Sequence, residues 1–381
     1  MQFQFSIPSS VAFAPGNAAT VGHLLLGLEV KKVFCVYDLG IKKAGIADVV
    51  AASLRNAKLE VVEWDGVAPN PTEVIVEEGA RKAREAGIEA IVAVGGGSTI
   101  DTGKAISILM TNESPITQYE GINMVKNPGI PVVAIPTTAG TASEVTAFTV
   151  VTDTAARKKL VIGGQNVGAR FALMDPNMTR SVPPALTAST GMGALAHAVE
   201  AYLSVAASIP TDINALKAVE IIARNLPAAV ENGDDMEART AMLLGSMLAG
   251  FAYNSAVLGL AHSLSHPLNV HCGLPHGVAN AAVLPYVMEY NGTAVPERIR
   301  AIGTAMGLDV AGLSAEEAVK ATVTAVKQLS SRIGIPTLKE AGVSRDDFDA
   351  VAADALAEIS TIFNPRHPSK EEVIAILDKA Y

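Results

Sequence analysis

The first 180 residues alternate short apolar runs with stretches of helical spacing. Residues 33–37 form a β-branched and aromatic run, and residues 46–56 follow with a helix-like pattern. A second strand is predicted over 59–64. After the turn Pro69-Asn70-Pro71, Thr72 or its neighbour caps a helix running to about residue 86. An apolar strand over 90–94 ends in Gly95-Gly96-Gly97-Ser98, where a helix opens and continues to residue 110. Residues 132–135 make another buried strand, closed by Pro136-Thr137-Thr138-Ala139-Gly140-Thr141. This alternation predicts βαβ units on a mostly parallel sheet. Beyond Ser181-Val182-Pro183-Pro184 the texture changes to Ala and Leu at helical spacing. Helices are predicted over 184–204, 211–224, 236–252, 315–333 and 370–379. The expected organisation is an α/β nucleotide-binding domain over residues 1–180 and an all-α domain over 181–381. A chain of 381 residues is long enough for two cores.

Composition narrows the partners. Charged residues make up 18% of the chain, the net charge is −9, and no block of Lys or Arg occurs. That balance argues against nucleic acid and against an anionic membrane surface. Sparse charge beside a 49% apolar content predicts a large buried interface, hence a homodimer or a higher homo-oligomer. Cys35 and Cys272 lie far apart and read as free thiols in a reducing compartment. The N-terminus has no basic stretch followed by an apolar one, and no run approaches 18 apolar residues. The expected location is the cytoplasm, with no membrane span.

Three features of the first half suit a dinucleotide. The run Gly95, Gly96, Gly97, Ser98 follows a buried strand and opens a helix, which lets backbone N–H groups approach an anion at the positive helix end. It is not the G-x-G-x-x-G fingerprint, and a tight turn is the plainer alternative. Thr137, Thr138 and Thr141 make a second hydroxyl-rich loop at a strand end, and two such loops on one sheet suit a ligand lying across both. Asp38 closes the first strand, where a carboxylate accepts hydrogen bonds from a ribose and repels a 2′-phosphate; a turn or cap residue is the bland reading.

The second half holds a histidine cluster: His197, His262, His266, His271 and His276. His262 and His266 stand at i and i+4 on one predicted helix face. His276 sits in Leu274-Pro275-His276-Gly277, a loop or a helix start, and His197 lies in the apolar stretch Leu195-Ala196-His197-Ala198-Val199. A lone histidine in such company is usually a core residue. Three from separate elements are better explained by a divalent metal, for which imidazole is the common ligand.

With these motifs assembled, the chain resembles the iron-containing (group III) alcohol dehydrogenase family over essentially its whole length. The resemblance is carried by Pro69-Asn70-Pro71-Thr72, Gly95 to Asp101, Pro136 to Glu144, Met174-Asp175-Pro176, His197 to Tyr202, Gly259 to Leu268, Leu274 to Val278 and Asn364-Pro365-Arg366. It implies a dehydroquinate-synthase-like fold and an NAD-dependent alcohol dehydrogenase or aldehyde reductase. His197, His262 and His276 would be metal ligands, and His266 would line the reacting end and relay a proton. Asp38, Asn70, Gly95, Gly96, Gly97, Ser98, Asp101, Thr137, Thr138, Thr141 and Lys159 would contact NAD. Fe²⁺ is the expected metal, with Zn²⁺ or Mn²⁺ as alternatives, and the substrate would be a small alcohol or aldehyde, a polar or anionic one included.

One departure bears on that expectation. Where the family's helix reads Gly-Met-Asp-Ala, this chain reads Gly191-Met192-Gly193-Ala194, so the carboxylate one turn before His197 is missing. Glu200, three residues after His197, points along the helix away from that position. Asn269 and Tyr286 also depart from the family pattern. Two other readings therefore stay open: a dinucleotide-binding protein that has lost its metal and its activity, and a non-redox synthase on the same fold. Against the synthase, the 262–276 stretch carries no Lys or Arg to hold a phosphate.

Overall fold

The computed structural model describes residues 3–381, which divide into two compact units. One comprises Ile7–Thr138 and Ala142–Val182; the other is built on Pro183–Tyr381, with Ala139–Thr141 and the described residues up to Ser6.

The first unit is α/β. Its strands are β1 (Ser10–Phe13), β2 (Lys32–Asp38), β3 (Glu60–Val67), β4 (Ala90–Gly95), β5 (Gly121–Ile122), β6 (Val132–Pro136), β7 (Phe148–Asp153), β8 (Lys158–Gly163) and β9 (Phe171–Met174). Six of them form one sheet in the order β1-β9-β6-β4-β2-β3, parallel at every pairing. The helices are α1 (Val21–Leu26), α2 (Leu39–Lys43), α3 (Ile46–Asn56), α4 (Glu73–Ala86) and α5 (Gly97–Thr111). Apolar clusters cover both faces of the sheet, which is why β4 and β6 are buried at every position. Thr72 caps α4 as expected, its hydroxyl accepting from Ile75 N. The sequence pattern missed the short β1, β5 and β9 and the β7–β8 hairpin, which pairs antiparallel and joins β5 in a separate three-stranded sheet.

The second unit is helical: α6 (Pro184–Leu203), α7 (Ile209–Glu231), α8 (Met236–Ala256), α9 (Leu260–Cys272), α10 (His276–Gly292), α11 (Pro296–Ala305), α12 (Ala315–Arg332), α13 (Phe348–Ala357), α14 (Ile359–Phe363) and α15 (Lys370–Ala380). One apolar cluster runs through it, with α6 almost wholly buried. α7 extends past the predicted residue 224 and through Pro227, because Leu226, Pro227 and Ala229 are buried there. No single described helix is long and apolar enough to cross a membrane.

Candidate active site

In the α/β unit, the end of β4 runs straight into α5. Gly96 is the N-cap in an extended conformation, and no side chain among the described residues caps that helix end. Gly96, Gly97 and Ser98 are partly exposed, whereas Gly95 is buried beneath them. A Cβ on Gly95 would overlap the Thr99 side chain at 2.4 Å, so this glycine serves strand-to-helix packing. At Gly96 a Cβ would come 3.3 Å from Thr138 Oγ1, which puts the glycine run and the second loop side by side. An uncapped helix end with bare backbone N–H groups fits an anionic group such as a pyrophosphate.

The other predicted cofactor residues are placed as follows. Asp38 Oδ1 accepts from Gly40 N at 2.7 Å and Ile41 N at 3.0 Å, so the carboxylate caps α2 at the strand end. Lys159, on β8, donates to Asn70 Oδ1 at 3.0 Å and Thr152 Oγ1 at 2.9 Å. Asn70 holds the left-handed backbone that asparagine tolerates (φ 55). Burial pulls the Lys159 ammonium down to about 8. Asp101 accepts from Ser143 Oγ and, through Oδ2, from Val150 N at 3.1 Å. Burial raises its carboxyl, against the pull of the nearby Lys104. Thr137 is buried and Thr138 partly exposed on the loop facing Gly96. Thr141 belongs to the helical unit, where its carbonyl accepts from Tyr253 at 2.6 Å.

Beneath these loops lies a buried charge network that the sequence did not reveal. Lys104, fully buried, donates to Ser143 Oγ at 3.0 Å, Thr146 O at 3.0 Å and Phe148 O at 2.7 Å. Burial drives it down to about 8 and drives the neighbouring Glu144 carboxyl up to about 7. Glu144 Oε1 has no hydrogen-bond partner among the described residues.

In the helical unit, His197 on α6, His262 on α9 and His276 at the start of α10 bring one ring nitrogen each within 4.8 Å of the others. Local packing enforces this meeting. A Cβ on Gly277 would lie 2.4 Å from Ser189 O, so only glycine lets the start of α10 rest on α6. Each Nδ1 has a partner on its outer side: Gly140 O for His197 at 3.1 Å, Glu200 Oε2 for His262 at 2.5 Å and Ser265 Oγ for His276 at 3.1 Å. Ser265 Oγ donates to His262 O, which leaves its lone pair for the His276 N–H. Each Nδ1 thus has a partner that favours a proton there, which turns the Nε2 atoms towards one another, those of His262 and His276 also meeting Asn280 Nδ2. Burial, reinforced by His262, holds His197 well below the ordinary histidine range, so this ring is neutral. Tyr253 stacks on His197 at 4.5 Å and fixes its plane.

The orientation of Glu200 is the one its spacing suggested. It points away from the Gly193 side, and its carboxylate reaches α9, where Oε1 accepts from Ala261 N at 2.5 Å and Oε2 from His262 N at 3.3 Å and from His262 Nδ1. Asn364 Oδ1 accepts from Leu260 N at 3.3 Å beside it. The N-terminus of α9 is therefore capped by groups from distant elements, and the same carboxylate orients His262. Asn280, one turn after His276 and fully buried, lies 3.2 Å from His262 Nε2 and 3.1 Å from His276 Nε2 through Nδ2. The signal for Glu200 was a lone charge in an apolar helix; that for Asn280 was its i+4 spacing from His276.

His266 stacks on His276 at 5.5 Å, and its Nδ1 meets Glu358 Oε1 at 3.1 Å. His271 stays outside the cluster, paired with Asp354 at 2.7 Å. Asn269 closes the end of α9 by donating to Leu274 O at 2.8 Å, and Tyr286 lies under the Lys327 ammonium. At Gly193 a Cβ would meet only Gly277 Cα, 3.8 Å away, so there is open room beside the start of α10.

Both halves of the chain match models of one known family. Residues 8–176 match the model described as "Iron-containing alcohol dehydrogenase", and residues 187–381 match "Fe-containing alcohol dehydrogenase family, C-terminal". The chain is 42% identical to 1,3-propanediol dehydrogenase of Klebsiella pneumoniae, over 100% of this chain and 99% of that one. It is 36% identical to NAD-dependent methanol dehydrogenase of Bacillus methanolicus, over 99% of each. A solved structure of 1,3-propanediol oxidoreductase superposes with a TM-score of 0.98 at 42% identity, covering 100% of both chains. A parallel α/β unit carrying a bare-backbone helix end, joined to a helical unit carrying three inward imidazoles, defines a metal-containing oxidoreductase. The chain belongs to the iron-containing alcohol dehydrogenase family. It is an NAD-dependent enzyme that interconverts alcohols and aldehydes.

Proposed function

We propose that the enzyme reduces a small aldehyde, or oxidises the matching alcohol, with the substrate oxygen directed to a divalent metal on His197, His262 and His276. Fe²⁺ is the first candidate, with Zn²⁺ and Mn²⁺ as alternatives. The observation that carries the reading is the set of three Nε2 lone pairs, each fixed by a partner on Nδ1. Three imidazoles that converge from separate helices, each held from its outer side, fit a cation. When bound, the metal supplies Lewis acidity to the substrate oxygen and the dinucleotide supplies or accepts the hydride.

The chain's own residues then bind, orient and move a proton. The N–H groups at Gly96, Gly97 and Ser98 hold the pyrophosphate, and Thr137 and Thr138 line the adjoining loop. Asp38 offers Oδ2 to a ribose while Oδ1 caps α2, and Lys159 with Asn70 forms a polar corner on the same unit. Glu200 and Tyr253 keep His262 and His197 in their planes. His266, backed by Glu358, passes the alcohol proton towards solvent. The room beside Gly193 admits a substrate group or a water. Two unpaired cysteines support a reducing cytoplasm, and the exposed Val205, Ile209, Ile213 and Ile362 support a homo-oligomer. The net charge of −9 supports a partner list of small molecules alone, without nucleic acid or membrane.

The test is NADH oxidation on a panel of short aldehydes, apolar, hydroxylated and anionic, with metal analysis of the same sample. Turnover that tracks metal content supports the proposal. Turnover indifferent to metal, or none on any aldehyde, would overturn it.

A further inference from the structure

We infer that Asn280 is a fourth protein ligand of the metal centre, binding through Oδ1 and making up for the carboxylate that Gly193 cannot provide. The inference rests on the metal reading given above and names a residue that the histidine cluster does not include.

Three observations carry it. First, Asn280 is fully buried one turn after His276 on α10, amid Ala279, Ala281 and Val283, where an amide is costly unless it is used. Second, the end of that amide touches the two nitrogens that would face a cation, lying 3.2 Å from His262 Nε2 and 3.1 Å from His276 Nε2. With metal–nitrogen bonds of about 2.1 Å, neighbouring ligand atoms stand about 3.0 Å apart in an octahedron and about 3.4 Å apart in a tetrahedron. The amide terminus is therefore spaced from both imidazoles as a fellow ligand would be. Third, Asn280 Oδ1 has no hydrogen-bond partner among the described residues.

The two ends of a primary amide have nearly the same shape, and a half-turn about Cβ–Cγ exchanges them. A cation drawing on the lone pairs of His262 and His276 would face the Nδ2 hydrogens, which repel it. The half-turn brings the unpartnered oxygen to the same place, where a hard divalent ion accepts it. Glu200 is committed to the outer side of His262, and Gly193 has no side chain. Ser265 also touches His262 and His276, but at a backbone carbonyl and at Nδ1, whereas Asn280 meets both rings at Nε2.

The full-length protein, stripped of metal and free of NAD and substrate, is titrated with Co²⁺ while its visible absorption is followed, alongside Asn280→Ala, Asn280→Asp and His262→Ala. Asn280→Ala is expected to bind Co²⁺ at least about tenfold more weakly and with altered bands, since loss of even an outer partner costs that much. Asn280→Asp, which puts an anionic oxygen in the same place, is expected to bind more tightly than wild type. If folded Asn280→Ala keeps wild-type affinity and bands while His262→Ala loses both, the assignment of Asn280 is wrong and the metal site stands. If Asn280→Ala does not fold, Asn280→Asp decides: affinity equal to or below wild type refutes the assignment. If wild type itself does not bind Co²⁺, the metal reading and this inference fall together.

Discussion

On the function proposed above, the two units would hold their ligands by opposite means. The α/β unit would use backbone: Gly96 and Gly97 expose N–H groups at an uncapped helix end, and the absence of side chains would be the working feature. The helical unit uses side chains on three separate helices, each aimed by a second group behind it. A backbone site is spoiled by adding a Cβ and hardly affected by a change of charge nearby. A side-chain site depends on hydrogen bonds one layer out, so it should be sensitive to residues that never touch a ligand. Each unit should therefore fail by its own kind of substitution, with the other left working.

The largest effect is expected from Gly96→Val. Its branched side chain would fill the space over the helix end and press on Thr138, whose Oγ1 is 3.3 Å from even a single Cβ. NADH affinity should fall by about a hundredfold or more, with metal content unchanged. A folded variant that titrates normally with NADH would remove the glycine run from the cofactor site.

Next comes the converse, Glu200→Gln. The carboxylate that grips His262 becomes a neutral amide of the same size, and metal affinity should drop about 10- to 100-fold with NADH affinity unaltered. Isothermal titration with the metal and with NADH reads both. A loss of NADH affinity with the metal intact would contradict the division of labour between the units.

A smaller effect is expected at Asp38, where cap and charge must be separated because Oδ1 already serves α2. Asp38→Asn keeps a capping oxygen and removes the charge, so the preference for NADH over NADPH should narrow about tenfold, or about 1.4 kcal/mol, at unchanged melting temperature. Asp38→Gly should narrow the preference equally and also lower the melting temperature. Equal use of both cofactors by wild type would show that Asp38 does not read the ribose.

The smallest expected effect concerns stability alone. Burial raises the Glu144 carboxyl to about 7, so folding favours its protonated form. No penalty applies below the unfolded value near 4.5; it grows as pH rises and is complete above about 7. Glu144→Gln should melt a few degrees above wild type at pH 8, and the gap should close by about pH 4.5. A gap that does not change with pH would mean that Glu144 stays ionised in the fold.

How much of this was legible beforehand follows the same contrast. Helix α3 and the strands β2, β4 and β6 could be read because their periodicity, glycine stops and caps are local. The glycine run, the threonine loop and the three histidines that cluster were equally visible, being unusual residues in characteristic surroundings. The β7–β8 hairpin was overlooked, although Val150-Val151 and Leu160-Val161-Ile162 are strand-forming runs; each is short, and the two strands pair with each other outside the main sheet. The partners of Glu200 could not be read, because spacing on its own helix says nothing about α9, whose open end it fills. The buried Lys104–Glu144 network was missed for the same reason, its partners lying tens of residues away, and Asn280 was missed because its spacing from His276 means nothing until α9 brings His262 to it. Local chemistry is written in order along the chain, whereas the layer that orients it is assembled only by the fold.

The central claim is that hydride transfer in this enzyme depends on a metal held by His197, His262 and His276. It is tested most directly by stripping the wild-type protein with a chelator and restoring Fe²⁺ stepwise while NADH oxidation by a short aldehyde is followed. Activity should vanish on stripping, return in proportion to bound metal, level off near one ion per chain, and fail to return in His262→Ala although that variant still binds NADH. A stripped protein that retains its activity, or a His262→Ala variant that recovers it fully, would contradict the account.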